Sequence, residues 1–288
     1  MPGGFLTFGM ILAFCFPSAS AVVIGLPNLE VPRQLAEAYG GVGTLEIDES
    51  GGNYRGTGVL LNDRWVLTAA HNWDAEQVRG LGFSIGGQRY EAAEWMQHPG
   101  WDGSFSTTQG WDVALVRLVN PVKGFGAAKL YAGSSELGME VTVLGAGLAG
   151  IAGQSLDFNA SGEIFAFTNT IDRVISVGGS AGPGGLLAYD FDDGSSTRNS
   201  LANQVAFDAF GQPVSPTPNL RGSGSTTFGT ALEGTSALGD SGGPAFADFG
   251  SGPELVGLVS WGVNPTEPGN LYGSGYGDGV SHEGLGDG

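Results

Sequence analysis

Apolar and polar positions alternate with a period of two along Val42-Gly43-Thr44-Leu45-Glu46-Ile47, the spacing of a strand with one buried face. The polar stretch Glu49-Ser50-Gly51-Gly52-Asn53 then predicts a loop. Val59-Leu60-Leu61 and Trp65-Val66-Leu67 flank Asn62-Asp63-Arg64, and two apolar runs joined by a short polar turn predict a hairpin. Further short apolar runs occur at Asp112–Leu118, Glu140–Gly145, Thr168–Val177, Leu186–Phe191 and Leu255–Val259. Strands separated by turns, without βαβ alternation, predict an all-β fold.

Larger breaks divide the chain. Asn120-Pro121 ends the strand that starts at Asp112, and residues 121–133 read as the crossing between two domains, 22–130 and 131–288. The length of 288 residues suits two domains. Residues 146–230 are rich in Gly, Ser, Asn and Pro and predict long inserted loops, with Pro213–Pro218 stiff and exposed. No repeat of fixed period is present. Beyond Val263 the chain is Gly-rich and shows no helical period. At the other end, residues 5–16 form a short apolar run followed by the small-x-small triplet Ala19-Ser20-Ala21. That pattern predicts a signal peptide, removed after about Ala21, and a secreted or extracytoplasmic protein; it is too short for a membrane span. Met1–Gly4 departs from the usual pattern by carrying no Lys or Arg. Cleavage would remove Cys15, the only cysteine, and leave the mature chain without disulfides.

Charge narrows the range of partners. Eleven Lys and Arg against 29 Asp and Glu give a formal net charge of −18, which argues against nucleic acid or an anionic membrane as partner. Asp190, Asp192 and Asp193 cluster before Gly194 without the ligand spacing of an EF-hand, and read as a solvated acidic turn rather than a calcium site. Three scattered histidines make no metal set, and no nucleotide-binding loop is present, so no metal and no cofactor are expected. Asn159-Ala160-Ser161 is a formal glycosylation sequon.

The chemistry concentrates in Gly239-Asp240-Ser241-Gly242-Gly243-Pro244. A serine hydroxyl needs a base beside it and hydrogen-bond donors facing the developing oxyanion before it can attack a carbonyl. Flanking glycines allow a sharp turn and let backbone N–H groups converge on one point. A base and an acid stand elsewhere, at the end of Trp65–His71 and at the start of Asp112–Leu118.

With these three blocks, and Ser260-Trp261-Gly262 beyond them, the chain resembles the trypsin-like serine proteases of the chymotrypsin fold. The resemblance covers residues from about 56 to 262 and implies two packed Greek-key β-barrels with the active site in the cleft between them. It implies Ser241 as nucleophile, His71 as general base and later acid, and Asp112 as the acceptor that orients His71. The N–H groups of Gly239 and Ser241 would receive the oxyanion, and Ser260, Trp261 and Gly262 would pair with an extended polypeptide substrate. Thr235, six residues before the nucleophile, stands where the family largely sets specificity; an uncharged residue there implies no preference for Arg or Lys.

Three departures from the family accompany the likeness. Gly56 and Asn72 stand where many members carry a disulfide beside the catalytic histidine. No basic residue precedes an Ile-Val-Gly-Gly, so Asp240 is expected to meet either a Val22 ammonium or an internal basic group. The Gly-rich tail replaces the usual closing strand and helix.

Two rival readings stand beside the protease. Gly239–Gly243 also fits the G-x-S-x-G elbow of α/β-hydrolases, but Gly242-Gly243-Pro244 starts a helix poorly, and only His282 follows the serine. The other rival is a weak or inactive trypsin-like binding protein. Sequence alone leaves the oligomeric state open.

Overall fold

The computed structural model describes residues 22–25, 27–103, 111–151, 162–175, 185–189, 192, 206–207, 213–214, 220–221, 226, 228–236, 238–263 and 278–284. The segment 1–21, the sequon at 159–161 and Asp190 and Asp193 lie outside them.

The first half closes into a six-stranded barrel. Its strands are β2 (Val42–Glu49), β3 (Gly52–Leu60), β4 (Trp65–Thr68), β5 (Val78–Ile85), β6 (Gln88–Gln97) and β7 (Ala114–Leu118), in the closed order β2-β3-β4-β7-β6-β5. They are preceded by β1 (Val22–Ile24) and a helix, α1 (Glu30–Ala36), whose Pro32 sits in the first turn, where its missing N–H costs nothing. Alternation along β2 sends Leu45 and Ile47 inward onto Leu60, Val66, Phe83, Val116 and Leu118. The predicted β2 and the β3–β4 hairpin are both present, with Val59 opposite Leu67.

The second half is built on an eight-stranded sheet. Its members are β8 (Glu140–Gly145), β10 (Phe165–Thr170), β11 (Arg173–Ile175), β12 (Gly185–Tyr189), β15 (Leu220–Arg221), β17 (Pro244–Asp248), β18 (Pro253–Val263) and β19 (Asp278–Gly284), in the order β10-β8-β17-β18-β19-β12-β11-β15. Smaller sheets join β1 to β9 (Ala149–Ile151) and β16 (Gly234–Thr235), and β13 (Ala206–Phe207) to β14 (Pro213–Val214). The run predicted over Thr168–Val177 is two strands, broken at Ile171-Asp172. Asp172 there is buried and accepts the Thr226 N–H at 3.0 Å. Within the Gly-rich tail, Asp278–Gly284 is a strand between β18 and β12.

A third apolar cluster joins the two halves: Val42, Val59 and Leu67 of the barrel pack with Leu144, Ala166, Phe246, Leu255 and Leu258 of the sheet. Tyr39, Val42, Val59 and Leu61 of one half therefore meet the strands β17 and β18 that follow Ser241 in the other. Among the described residues no helix is long and apolar enough to cross a membrane.

Candidate active site

His71 lies in a short 3-10 turn, Ala70–Asn72, that caps β4. Asp112 stands two residues before β7, the neighbour of β4 in the barrel. That neighbourhood brings the two together across 41 residues of sequence. The His71 ring Nδ1 lies 2.5 Å from Asp112 Oδ2, and the His71 backbone N–H donates to Asp112 Oδ1 at 2.7 Å. Gln97 Nε2 donates to the carbonyls of Ala70 and Trp73, at 2.8 and 2.9 Å, and so holds the turn on either side of His71.

Ser241 comes from the tight turn before β17, where Gly239 and Gly242 have φ of 94° and 82°, conformations that favour glycine. Its Oγ lies 2.7 Å from His71 Nε2. The three side chains named from the sequence thus form one hydrogen-bonded chain: carboxylate, imidazole, hydroxyl.

Asp112 is buried, which alone pushes its carboxyl upward. The facing His71 ring, the Ser260 hydroxyl and the His71 N–H outweigh burial and hold it below its usual range. The Ser260 contact is one that sequence reasoning missed. Ser260 is expected at the substrate edge, yet its hydroxyl is buried and donates to Asp112 Oδ2 at 2.5 Å. Trp261 and Gly262 continue β18 and pair with Ser281 and Val280 of β19. Thr235 is buried on β16, opposite Val23, and its Oγ1 has no hydrogen-bond partner among the described residues.

Two acidic groups differ from expectation or extend it. Asp192, read as part of a solvated turn, is buried: its Oδ2 accepts the Thr226 hydroxyl at 2.8 Å, and its N–H donates to Glu233 Oε1 at 3.1 Å. Thr226 lies 34 residues further along, so no local pattern announces it. Asp240 is fully buried, and its Oδ1 accepts the Gly147 N–H at 3.0 Å. A side chain at Gly145 would collide with it, since a Cβ there would stand 1.9 Å from Oδ1. No group of three or more metal-ligating side chains occurs among the described residues.

Comparison with known proteins follows the same line. The sequence model of the Trypsin family matches residues 39–162. Complement C1s subcomponent of Sus scrofa is 40% identical over 83 residues, 25% of this chain, and the chain spans only 12% of that relative's length. HL collagenase superposes with a TM-score of 0.51 at 15% identity, over 86% of this chain and 89% of its own. The thermostable serine protease AL20 from an extremophilic microorganism gives 0.50 at 14% identity, over 86% and 93%. At such identities the likeness concerns the fold. Over residues 39–162 the chain is thus similar to the Trypsin family, and along most of its length it shares the fold of HL collagenase and the serine protease AL20.

Proposed function

We propose that the protein is a secreted serine endopeptidase that cleaves polypeptides through an acyl-enzyme intermediate. Ser241 Oγ attacks the scissile carbonyl carbon while His71 Nε2 takes its proton. The same proton passes to the leaving amine as the tetrahedral intermediate collapses. Water, deprotonated by His71, then releases the acyl group and regenerates Ser241. Asp112 keeps a proton on Nδ1, so that Nε2 is free to accept, and stabilises the imidazolium that forms.

The observation that carries this reading is the pair of short contacts on one imidazole, 2.5 Å from Nδ1 to Asp112 and 2.7 Å from Nε2 to Ser241. The oxyanion is assigned to the N–H groups of Gly239 and Ser241, neither of which donates to another described residue. Thr235 brings no charge to the specificity position, so the cleaved residue is expected to be uncharged rather than Arg or Lys. Secretion rests on the pattern of residues 1–21, and the two units on the division at 130/131. A fluorophosphonate probe should label the protein covalently, and Ser241→Ala should abolish labelling. An unlabelled wild-type protein would favour a binding protein without catalysis.

A further inference from the structure

Around Ser241 the barrel that carries His71 meets the opposite half through hydrogen bonds as well as through the apolar cluster. Thr57, at the inner end of β3, uses its N–H and its hydroxyl there. Its N–H donates to the Ser241 carbonyl at 2.8 Å, and its hydroxyl donates to the Gly239 carbonyl at 2.9 Å. That hydroxyl also accepts the Ala146 N–H at 2.8 Å, while the Thr57 carbonyl accepts the Thr68 hydroxyl at 2.7 Å. Asn72, beside His71, adds a second donor to the Ser241 carbonyl, from Nδ2 at 3.0 Å, and the same amide group donates to Thr68 Oγ1 at 2.8 Å.

The consequence is geometric. Three successive peptide planes carry the nucleophile, and each is held. The Gly239–Asp240 plane is fixed through its carbonyl by the Thr57 hydroxyl. The Asp240–Ser241 plane is fixed by the Gly243 N–H, which donates to the Asp240 carbonyl at 2.7 Å and so leaves the Ser241 N–H facing the other way. The Ser241–Gly242 plane is held at both ends, by Thr57 and Asn72 on its carbonyl and by the Val259 carbonyl on the Gly242 N–H at 2.7 Å. Two of the three holds come from the barrel that also positions His71.

Two glycines leave room for this contact. A Cβ on Gly56 would stand 2.6 Å from Asn72 Oδ1, and one on Gly242 would stand 2.2 Å from Thr68 Oγ1 and 2.3 Å from the Thr57 carbonyl.

We propose that Thr57 and Asn72 are positioning residues for the reaction: a hydrogen-bonded clasp through which the first barrel sets Ser241 Oγ and the Ser241 N–H against His71. In this chain a pair of uncharged side chains adds to the registration of the two halves at the site, beside the Ser260–Asp112 hydrogen bond. The proposal rests on Ser241 being the nucleophile. Its expected signature is a loss in the chemical step with little change in binding, because a displacement near 1 Å at reacting atoms costs roughly 100-fold in rate.

The test uses the full chain and a fluorophosphonate probe, with the maximal labelling rate and the half-saturating concentration measured separately, and the thermal midpoint recorded for each variant. Thr57→Val keeps the shape but loses the hydroxyl; Thr57→Ser keeps the hydroxyl. Asn72→Asp keeps the shape but replaces the donor with an acceptor facing a carbonyl. Thr57→Val and Asn72→Asp should each lower the maximal rate by roughly 10- to 100-fold, with half-saturation changed less than about threefold, while Thr57→Ser stays within a few-fold of wild type. A merely structural role would lower the thermal midpoint and the labelled fraction but leave the rate per labelled site intact; that result overturns the clasp. Equal impairment in Thr57→Val and Thr57→Ser also overturns it. If Thr57→Val does not fold, Asn72→Asp alone decides. A wild-type protein that takes no label at all refutes the nucleophile assignment itself, a result distinct from either failure of the clasp.

Discussion

Glu233 offers a prediction whose sign and size both come from its surroundings. The side chain is buried two residues before Thr235, where residue 233 bridges to Thr168 of β10, the edge strand of the eight-stranded sheet. Burial is the largest influence and pushes its carboxyl up to about 7; the Thr230 and Asp192 N–H groups and the Thr230 hydroxyl oppose it, and the Asp192 charge adds to it. Those donors stand at 2.7 Å for Thr230 N–H, 2.8 Å for its hydroxyl and 3.1 Å for Asp192 N–H; Asn169 Nδ2 adds another at 2.8 Å. In the unfolded chain the same carboxyl titrates near 4.5. Between these values the native protein holds a proton that the unfolded chain has released, so stability falls as pH rises. The contribution is fully present below 4.5 and lost once pH passes about 7. The separation corresponds to about 3 kcal/mol. Glu233→Gln removes the titration while keeping the shape. Urea unfolding of both proteins at pH 4.5, 5.5, 6.5 and 7.5 isolates the effect, because every other titrating group appears in both curves. The advantage of wild type over Glu233→Gln should shrink by about 3 kcal/mol across that range. Parallel curves, or a difference that widens with pH, would refute the reasoning.

Other substitutions probe separate parts of the molecule. Ser260→Ala removes a charge-assisted hydrogen bond from buried Asp112 and should raise that carboxyl's pKa; the expected loss is about 1.5–3 kcal/mol of stability by denaturant titration, together with slower fluorophosphonate labelling. Gly242→Ala forces a side chain into a φ of 82° and against the Thr57 carbonyl; its thermal midpoint should fall well below that of an alanine placed at Gly126, where a Cβ meets nothing within 4 Å. Phe83→Ala empties the centre of the first barrel, with an expected cost of about 3–5 kcal/mol read from the urea midpoint. Peptide libraries should show cleavage after uncharged residues; strong selectivity for Arg would refute the reading of Thr235.

What could be read from sequence followed the range over which each feature is encoded. Strand β2 was legible because one of its faces is buried and the other half open, and the β3–β4 hairpin because Asn62-Asp63-Arg64 interrupts two apolar runs. Strands β5 and β6 were not. Gly80 and Gly82 erase the alternation in β5, and β6 exposes most of both faces, so neither carries a period to detect. A Cβ at Gly82 would stand 2.5 Å from the Arg89 guanidinium, the far end of a flexible side chain that can swing aside, so packing does not demand the glycine. Likewise the tail strand β19 takes its conformation from pairing with β12 and β18, not from its own Gly-rich composition.

The site divides the same way. His71, Asp112 and Ser241 could be named as candidates because each sits in a local block that resembles one of the trypsin-like serine proteases. Their surroundings are tertiary. Thr57 reaches Gly239 across 182 residues, Ser260 reaches Asp112 across 148, and Thr226 reaches Asp192 across 34. Nothing within a window of neighbouring residues distinguishes a threonine that will brace a distant turn from one that will face water. The candidate reactive groups therefore follow from motifs that resemble a family's and stand in its order, whereas the groups that set their distances follow only from how the two halves close on each other. A change in catalytic rate without a change in the reactive residues should accordingly map to Thr57, Asn72 and Gln97, side chains whose role is to hold backbone carbonyls in place.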